Sequence, residues 1–237
     1  MNLMVVGGGA REHTLVWKLS QSERVKEIFV APGNAGTAQV AKNLDISPTD
    51  LDGLLKAVKD NRIDLVVIGP EAPLAAGIVD KCQAIGIQAF GPTKEAALIE
   101  SSKVFAKGLM HKYGIPCAKD AVFSSFREAE AYVKVQAIPL VIKADGLAAG
   151  KGAIVAQSME KALKALSDIM EKRVFGDAGN QVLVEECLVG RETSLLAFTD
   201  GKTVVPIARE YVEKRKWEIA VDKLEKGLLR MMPDENK

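Results

Sequence analysis

The first third of the chain alternates apolar runs with amphipathic stretches, and this alternation constrains the fold more than any other feature. The predicted strands are residues 3–6, 27–31, 65–68 and 88–90, and the predicted helices are 12–20, 49–61 and 74–85. Strands that alternate with helices favour a parallel sheet covered by helices. In such sheets ligands bind at the carboxyl ends of the strands. The predicted strands end in glycine, proline or polar residues, so these loops form a candidate site.

A second group of strands and helices follows residue 100 and predicts a smaller α+β lobe. Its first helix, residues 101–113, is ended by Gly114 and Pro116, two residue types that stop a helix. Asp200-Gly201 turns a predicted hairpin of residues 195–199 and 203–207. The other predicted strands are 121–123, 139–143 and 181–185, and the other predicted helices are 126–136 and 159–171. The fold class predicted for the whole chain is therefore α/β.

Residues 141–155 form a glycine-rich segment between two apolar runs. Lys143 ends the first run, and Lys151 stands among Gly146, Gly150 and Gly152. Because glycine lets backbone N–H groups approach an anion closely, a hairpin of strand, lysine, glycine loop and strand suits a triphosphate. Taken alone, the segment favours a surface turn with ordinary lysines.

Residues 182–194 change that balance, because their apolar run ends in two carboxylates, Glu185 and Glu186. An acidic residue at a strand end can accept a hydrogen bond from the exocyclic amine of adenine. Glu192 follows at a spacing at which it could accept both ribose hydroxyls. In this order, the two segments resemble the nucleotide site of ATP-grasp enzymes.

The loop at residues 7–12, GGGARE, partly matches a dinucleotide-binding fingerprint. Gly7 and Gly9 fit its first two glycines, but Glu12 stands where the third belongs, and its carboxylate would repel a pyrophosphate. The loop therefore favours a small phosphorylated ligand, held by loop N–H groups, the helix N-terminus and Arg11. His13 is compatible with either a structural role or a ligand contact.

Composition predicts a soluble globular protein of one or two domains. Of 237 residues, 48% are hydrophobic and 27% are charged, with a net charge of +1. This charge gives no electrostatic basis for binding nucleic acid or a membrane surface. Cys82, Cys117 and Cys187 lack metal-ligand spacing and are predicted to be buried thiols in a reducing compartment. No secretory segment or membrane-spanning run is recognised, so we expect a cytoplasmic location.

The chain resembles the glycinamide ribonucleotide synthetase (phosphoribosylamine–glycine ligase) family of the ATP-grasp superfamily, from Met1 to about residue 207. The motifs that carry the resemblance are GGGAREH (7–13), PGNAGT (32–37), GPEAPL (69–74), GPT (91–93), ESSK (100–103), KADGLAAGKG (143–152) and EE (185–186). The resemblance implies a Rossmann-like, pre-ATP-grasp domain at residues 1–100 on the substrate side, followed by an incomplete ATP-grasp α+β lobe at 101–207. Residues 208–237 form a charged segment outside the family pattern, predicted to be helical.

The activity implied is the ATP-dependent ligation of glycine to 5-phosphoribosylamine through glycyl phosphate, with Mg²⁺ or Mn²⁺. The implied ATP-binding residues are Lys103, Lys143, Gly146, Gly150, Lys151, Gly152, Glu185, Glu186, Leu188 and Glu192. The implied phosphoribosylamine-binding residues are Gly7, Gly8, Gly9, Arg11, Pro32, Gly33, Asn34, Gly69, Pro70 and Glu71. No catalytic residue is assigned, and the resemblance places the metal ligands of the family beyond the matched part, so none is expected here.

The segment at 208–237 leaves two interpretations open. It is either a solvated helix or tail of a truncated or spliced gene product, or a helix that covers an edge or docks onto a separately encoded C-terminal half. Three functional hypotheses follow: a ligase whose chain is an incomplete copy with impaired catalysis, a non-catalytic adenine-nucleotide-binding fragment, and a related enzyme such as the carboxylase of the same pathway. The motifs at 32–37 and 143–152 count against the third.

Overall fold

The structure, a computed structural model, describes residues 1–148, 150–190 and 195–209, and of residues 207–209 it describes the backbone. Contacts divide the chain into two compact units, residues 1–93 together with the hairpin at 195–209, and residues 94–190. The predicted domain boundaries at residues 100 and 207 stay a prediction. Glu192 and residues 210–237, which include most of the predicted helical tail, lie outside the described residues.

The first unit is built on a five-stranded sheet with the order β3-β2-β1-β4-β5, in which every neighbouring pair is parallel. Its strands are β1 (Asn2–Gly7), β2 (Glu27–Pro32), β3 (Lys42–Asn43), β4 (Leu65–Ile68) and β5 (Gln88–Phe90). Its helices are α1 (Ala10–Leu19), α2 (Leu51–Asp60), α3 (Glu71–Ala76) and α4 (Ile78–Ala84). The predicted parallel layer is confirmed.

Burial explains why this layer could be predicted. All four residues of β4 are buried, and Leu3 of β1 lies in register with Leu65 of β4. Strands buried on both faces are nearly continuous hydrophobic runs, which the sequence displays. Two details differ from prediction: the helix expected at 74–85 is broken at Gly77, whose φ is +91°, and β3 is too short to produce a pattern.

The second unit is an α+β lobe with an antiparallel sheet of order β6-β9-β7-β8. Its strands are β6 (Asp120–Phe123), β7 (Leu140–Ala144), β8 (Ala153–Ala156) and β9 (Val182–Glu186). Its helices are α5 (Leu98–Ser101), α6 (Lys103–Tyr113), α7 (Phe126–Val133) and α8 (Met159–Leu166), and α8 continues as a π-helix, Ser167–Glu171. The predicted α/β class is confirmed.

The two faces of this sheet differ in character. Leu140, Ile142 and Ala144 alternate along β7 and are buried in a core shared with residues of α7 and α8. Lys143 has the opposite orientation, as expected from the two-residue period of a strand. Glu185 of β9 pairs with Val141 of β7 and with Asp120 of β6, so it shares the face of Lys143. Charged groups are therefore gathered opposite the apolar core.

The predicted hairpin near the end of the described chain is confirmed as β10 (Leu195–Thr199) and β11 (Val204–Arg209). The ring of Phe198 lies 6.1 Å from that of Phe90, at the end of β5. The backbone of β11 extends to Arg209, so the first two residues of the predicted helical segment are in a strand. None of the helices in the described part is long and apolar enough to cross a membrane.

Candidate functional site

Two strand ends of the first unit, those of β1 and β2, are joined by hydrogen bonds to backbone carbonyls. The N–H of Gly33 donates to the carbonyl of Gly7 at 3.1 Å, and Nδ2 of Asn34 donates to the carbonyl of Gly8 at 3.0 Å. A side chain at position 8 would bring its Cβ to 2.7 Å from the carbonyl oxygen of Gly33, which explains the glycine there. The loops after β1 and β2 are therefore closely packed.

Arg11 connects this pair of loops to the end of β4. Its guanidinium donates to the carbonyl of Gly69 at 3.0 Å and lies 4.0 Å from the carboxylate of Glu71. The two side chains are 66% and 51% exposed, so the ion pair adds little stability. An exposed guanidinium anchored through one N–H group keeps other donors available for an anionic ligand.

Glu12 lies beneath the glycine loop. Its side chain is buried, and its Oε2 accepts the N–H of Gly9 at 2.6 Å. A Cβ at Gly7 or Gly69 would overlap this side chain. The N–H of Gly9 is therefore occupied, and the anion binding predicted for this loop would rely on Arg11 and the other N–H groups at the start of α1.

The structure places all the residues predicted to bind phosphoribosylamine at the ends of β1, β2 and β4. Pro32 is the last residue of β2, and Pro70 directly precedes Glu71, the first residue of α3. The imidazole of His13 occupies the space beside Gly36, where a Cβ would overlap it. This packing accounts for Gly36 and favours the structural interpretation of His13.

In the second unit, the glycine-rich loop after β7 is attached to the start of α6. Nζ of Lys103 donates to the carbonyl of Gly146 at 2.9 Å. The carboxylate of Asp145 accepts the hydroxyl of Ser102 at 3.2 Å and the N–H of Val104 at 3.0 Å. Sequence analysis did not identify Asp145, although an acidic residue that caps a helix is a common arrangement.

The glycines of this loop differ in backbone conformation and in the space around them. Gly146 has φ of +134°, and a Cβ there would lie 2.9 Å from the Cβ of Ala178. Gly150 has φ of +74° with open space around it, and Gly152 is buried against Ala148. Lys151 is exposed between them, whereas Ala149 lies outside the described residues. The loop thus has a closely packed start and an open middle.

Lys143 is held by a buried carboxylate. Its Nζ lies 2.6 Å from Oε2 of Glu185, and the other oxygen of Glu185 lies 3.4 Å from Nζ of Lys107. The side chain of Glu185 is only 6% exposed. The carboxylate of Glu185 therefore faces two ammonium groups rather than an open hinge, and its contact with adenine stays a prediction.

The other predicted hinge residues are more accessible. Oε1 of Glu186 accepts the N–H of Lys119 at 2.8 Å, and the N–H of Glu186 donates to the carbonyl of Lys119. These contacts tie the end of β9 to the segment before β6. Leu188 is 68% exposed, so its side chain is open to a ligand or to another part of the protein.

Lys107 was not identified from the sequence, yet it is the buried cation of this unit. Its Nζ donates to the carbonyl of Ala118 at 2.7 Å and lies 3.4 Å from Oδ1 of Asp120 and from Oε1 of Glu185. Burial lowers the pKa of Lys107, but the carboxylates of Glu185 and Asp120 outweigh it and hold the pKa above its usual value. The sequence held one signal of this cluster: Asp120, a partner of Lys107, is the polar first residue of the otherwise apolar strand β6.

The cysteines differ from prediction in two of three cases. Cys82 is buried, and burial raises the pKa of its thiol to about 11, which makes it unreactive. Cys117 and Cys187 are partly exposed, because both lie in connecting segments beside strand ends. The prediction of three buried thiols is therefore wrong for these two.

Comparisons with known proteins agree with this architecture. The family model described as "Phosphoribosylglycinamide synthetase, N domain" matches residues 1–100, and "Phosphoribosylglycinamide synthetase, ATP-grasp (A) domain" matches residues 101–219. The solved structure of phosphoribosylamine–glycine ligase from Thermotoga maritima has a TM-score of 0.75 at 28% identity, covering 97% of this chain and 62% of that chain.

Two sequence relatives are closer. Phosphoribosylamine–glycine ligase of Halalkalibacterium halodurans is 50% identical over 218 residues, which cover 92% of this chain and 51% of that protein. The human trifunctional purine biosynthetic protein adenosine-3 is 51% identical over 216 residues, covering 90% of this chain and 21% of that protein. The chain thus spans about half the length of the ligase it matches. From both family models and these identities, the chain belongs to the phosphoribosylglycinamide synthetase family.

Proposed function

We propose that this chain supplies the phosphoribosylamine-binding domain and part of the nucleotide-binding domain of an ATP-dependent ligase. The reaction joins glycine to 5-phosphoribosylamine through glycyl phosphate and yields glycinamide ribonucleotide, ADP and phosphate. The observation that carries the proposal is the contact between Lys103 and the carbonyl of Gly146, which sets a cation against the glycine-rich loop. Relatives that bear the name phosphoribosylamine–glycine ligase support it.

The two lysines would contact the phosphates of ATP while keeping their structural partners. An ammonium group has three N–H donors. Lys103 uses one on the carbonyl of Gly146, and Lys143 directs one towards Glu185, so each keeps donors for phosphate oxygens. Phosphoryl transfer depends mainly on positioning and charge neutralisation, which two held cations can provide. The loop at 146–152 would cover the triphosphate.

In the first unit, Arg11 and the N-terminus of α1 would hold the phosphate of phosphoribosylamine. Arg11 is anchored at the end of β4 and suits bidentate binding of a phosphate. Gly8 and Gly33 allow the loops after β1 and β2 to pack without side chains between them. Asn34 fixes the first of these loops through the carbonyl of Gly8.

The divalent cation of the family is not assigned to these residues. Lys103 and Lys143 are cationic, the carboxylate of Glu185 is paired with two lysines, and that of Glu186 accepts a backbone N–H. This donor set does not fit a magnesium ion, which prefers unpaired oxygen ligands. The nucleotide metal would have to be held by other residues.

Calorimetric titration with ATP and with adenosine tests the nucleotide site. Lys143→Ala should weaken ATP binding by about tenfold or more, since one charge-assisted hydrogen bond contributes roughly 1.5–3 kcal/mol. Adenosine binding should change little. Lys134, an exposed lysine that pairs with Glu130 of α7, provides the matched control. Lys134→Ala should leave the affinities for ATP and for adenosine unchanged. Equal losses of ATP and adenosine in Lys143→Ala would refute the phosphate contact.

Ligation is tested with ATP, magnesium, glycine and freshly generated phosphoribosylamine. The chain is assayed alone and with the C-terminal half of the Halalkalibacterium halodurans relative added. We expect product only in the combined reaction. Turnover by the chain alone near the median enzyme rate of roughly 10 per second would contradict this expectation. Nucleotide binding without turnover in either reaction would instead support the non-catalytic hypothesis.

A further inference from the structure

Three side chains of different chemistry converge at the far end of α6 and the start of β6. The ligand atoms of His111, Cys117 and Asp120, one nitrogen, one sulfur and one carboxylate oxygen, all lie within 4.8 Å of one another. His111 is in the last turn of α6, Cys117 lies in the connection, and Asp120 opens β6. The resemblance to the synthetase family assigns no role to any of the three.

A second observation indicates that this cluster is prepared for a cation. The side chain of Asp120 is 5% exposed, and its Oδ1 is buried without a hydrogen bond that satisfies normal geometry among the described residues. Two nitrogen atoms lie close to this oxygen, Nε2 of His111 at 2.9 Å and Nζ of Lys107 at 3.4 Å. The ammonium of Lys107 offsets part of the cost of burying this carboxylate, and a bound cation would give Oδ1 the direct partner that it lacks.

We propose that His111, Cys117 and Asp120 bind a zinc ion, with water as the fourth ligand. Imidazole and thiolate suit zinc, whereas magnesium and calcium require oxygen ligands. Zinc bonds of about 2.0–2.3 Å in a tetrahedron place ligand atoms roughly 3.3–3.8 Å apart. The widest separations in the cluster, up to 4.8 Å, must shorten, and the pair of Nε2 of His111 and Oδ1 of Asp120, at 2.9 Å, must open slightly; the side chain of His111, which is 55% exposed, can rotate to allow both changes.

Charge balance allows the ion beside Lys107. Zinc bound to one thiolate and one carboxylate gives a neutral complex, which is one positive charge more than the metal-free carboxylate and thiol, and the carboxylate of Glu185 remains beside the ammonium. Lys107 would keep its hydrogen bond to the carbonyl of Ala118 and its contact with Glu185. The site is therefore compatible with the buried ion pairs that face Lys143.

The spacing of the cysteines in the sequence does not indicate this site, because the other two ligands that we propose are a histidine and an aspartate. The position of Cys117 becomes informative only when β6 brings Asp120 beside the end of α6. Partial exposure of Cys117 and His111 also gives the ion a path from solvent.

The test uses the full chain, freed of metal and titrated with Zn²⁺ against a chromogenic chelator. We expect one ion per chain, with affinity reduced by about tenfold or more in His111→Ala and Cys117→Ser. Cys187→Ser, which changes the other partly exposed cysteine, should bind like the original chain. Circular dichroism of each variant verifies folding, and His111 is exposed enough for its replacement to preserve the fold.

Cobalt provides a readout of the ligand atoms. Co²⁺ in the same site should give a near-ultraviolet thiolate-to-metal absorption band that disappears in Cys117→Ser and persists in Cys187→Ser. Zinc should also protect Cys117 from alkylation more than Cys187, as measured by mass spectrometry of peptides. A band that survives Cys117→Ser, or zinc affinity equal in all variants, would show adventitious binding and overturn the proposal.

Discussion

Replacement of Lys107 by Met tests whether the buried ion pairs of the second unit determine its stability. The ammonium lies 3.4 Å from each of two carboxylates, on Asp120 and Glu185, and its side chain is 11% exposed. At that distance each pair is worth about 5 kcal/mol at an effective dielectric constant of 20, before the cost of removing the charges from water. Breaking a buried pair by removing one partner costs roughly 3–5 kcal/mol, which is the loss we expect.

The assay is urea denaturation of each variant, followed by circular dichroism. Lys112→Met is the control, because Lys112 is an exposed lysine on the same helix and its loss should change stability by less than about 0.5 kcal/mol. A decrease of 3 kcal/mol corresponds to a lower melting temperature by about 12 °C or more for a unit of this size.

A second substitution identifies the cause. In Lys107→Met, Glu185 still contacts the ammonium of Lys143, whereas the remaining ion-pair contact of Asp120 among the described residues is with the imidazole of His111. Adding Asp120→Asn should therefore restore more stability than adding Glu185→Gln. If Lys107→Met were as stable as the original chain, or if both double variants were equally stable, the ion-pair argument would be refuted.

The remaining predictions concern pH, packing and capping. The pKa of Lys107 is raised in the folded protein, so the stability that its charge contributes is complete below the unfolded lysine value of about 10.4 and is lost as pH rises through the higher folded value. The difference in stability between Lys107→Met and the original chain should therefore shrink only at strongly alkaline pH. Gly36→Ala should cost about 1–3 kcal/mol in thermal unfolding through overlap with His13, and His13→Ala in the same chain should relieve it. Asp145→Ala should cost about 1 kcal/mol by removing a cap of α6, measurable by urea denaturation, and no loss would contradict that role.

Much of the fold could be predicted because burial leaves a simple pattern in the sequence. Residues 3–6 of β1 and all of β4 are apolar because both faces of the first sheet are covered, and the helices between them, α1 and α2, begin within two residues of the predicted positions. The break at Gly77 could not be predicted, because α3 and α4 continue one amphipathic pattern across it. Gly77 adopts a positive φ between the two helices, and its identity as a glycine permits this conformation without requiring it.

The sequence motifs of the candidate site could be recognised, but the contacts between their side chains could not be predicted. Lys143 could be identified from its place before a glycine loop, but its neighbour Glu185 lies on a strand that is distant in sequence. The sheet order β6-β9-β7 is not the chain order, so the sequence does not state that Asp120 and Glu185 are adjacent. Strand alternation gives the face of each side chain only after the register is known.

The pairing of Lys143 with Glu185 also bears on how a carboxylate can stand beside a lysine proposed to bind phosphate. A free lysine side chain carries about 2 kcal/mol of rotamer entropy, which a ligand must otherwise overcome. Glu185 holds the ammonium in place before the nucleotide arrives, at 2.6 Å. Its negative charge is also shared with Lys107, which weakens its repulsion of a phosphate. The buried carboxylate therefore favours a pre-positioned cation, and the positions of Lys107, Glu185 and Lys143 depend on one another.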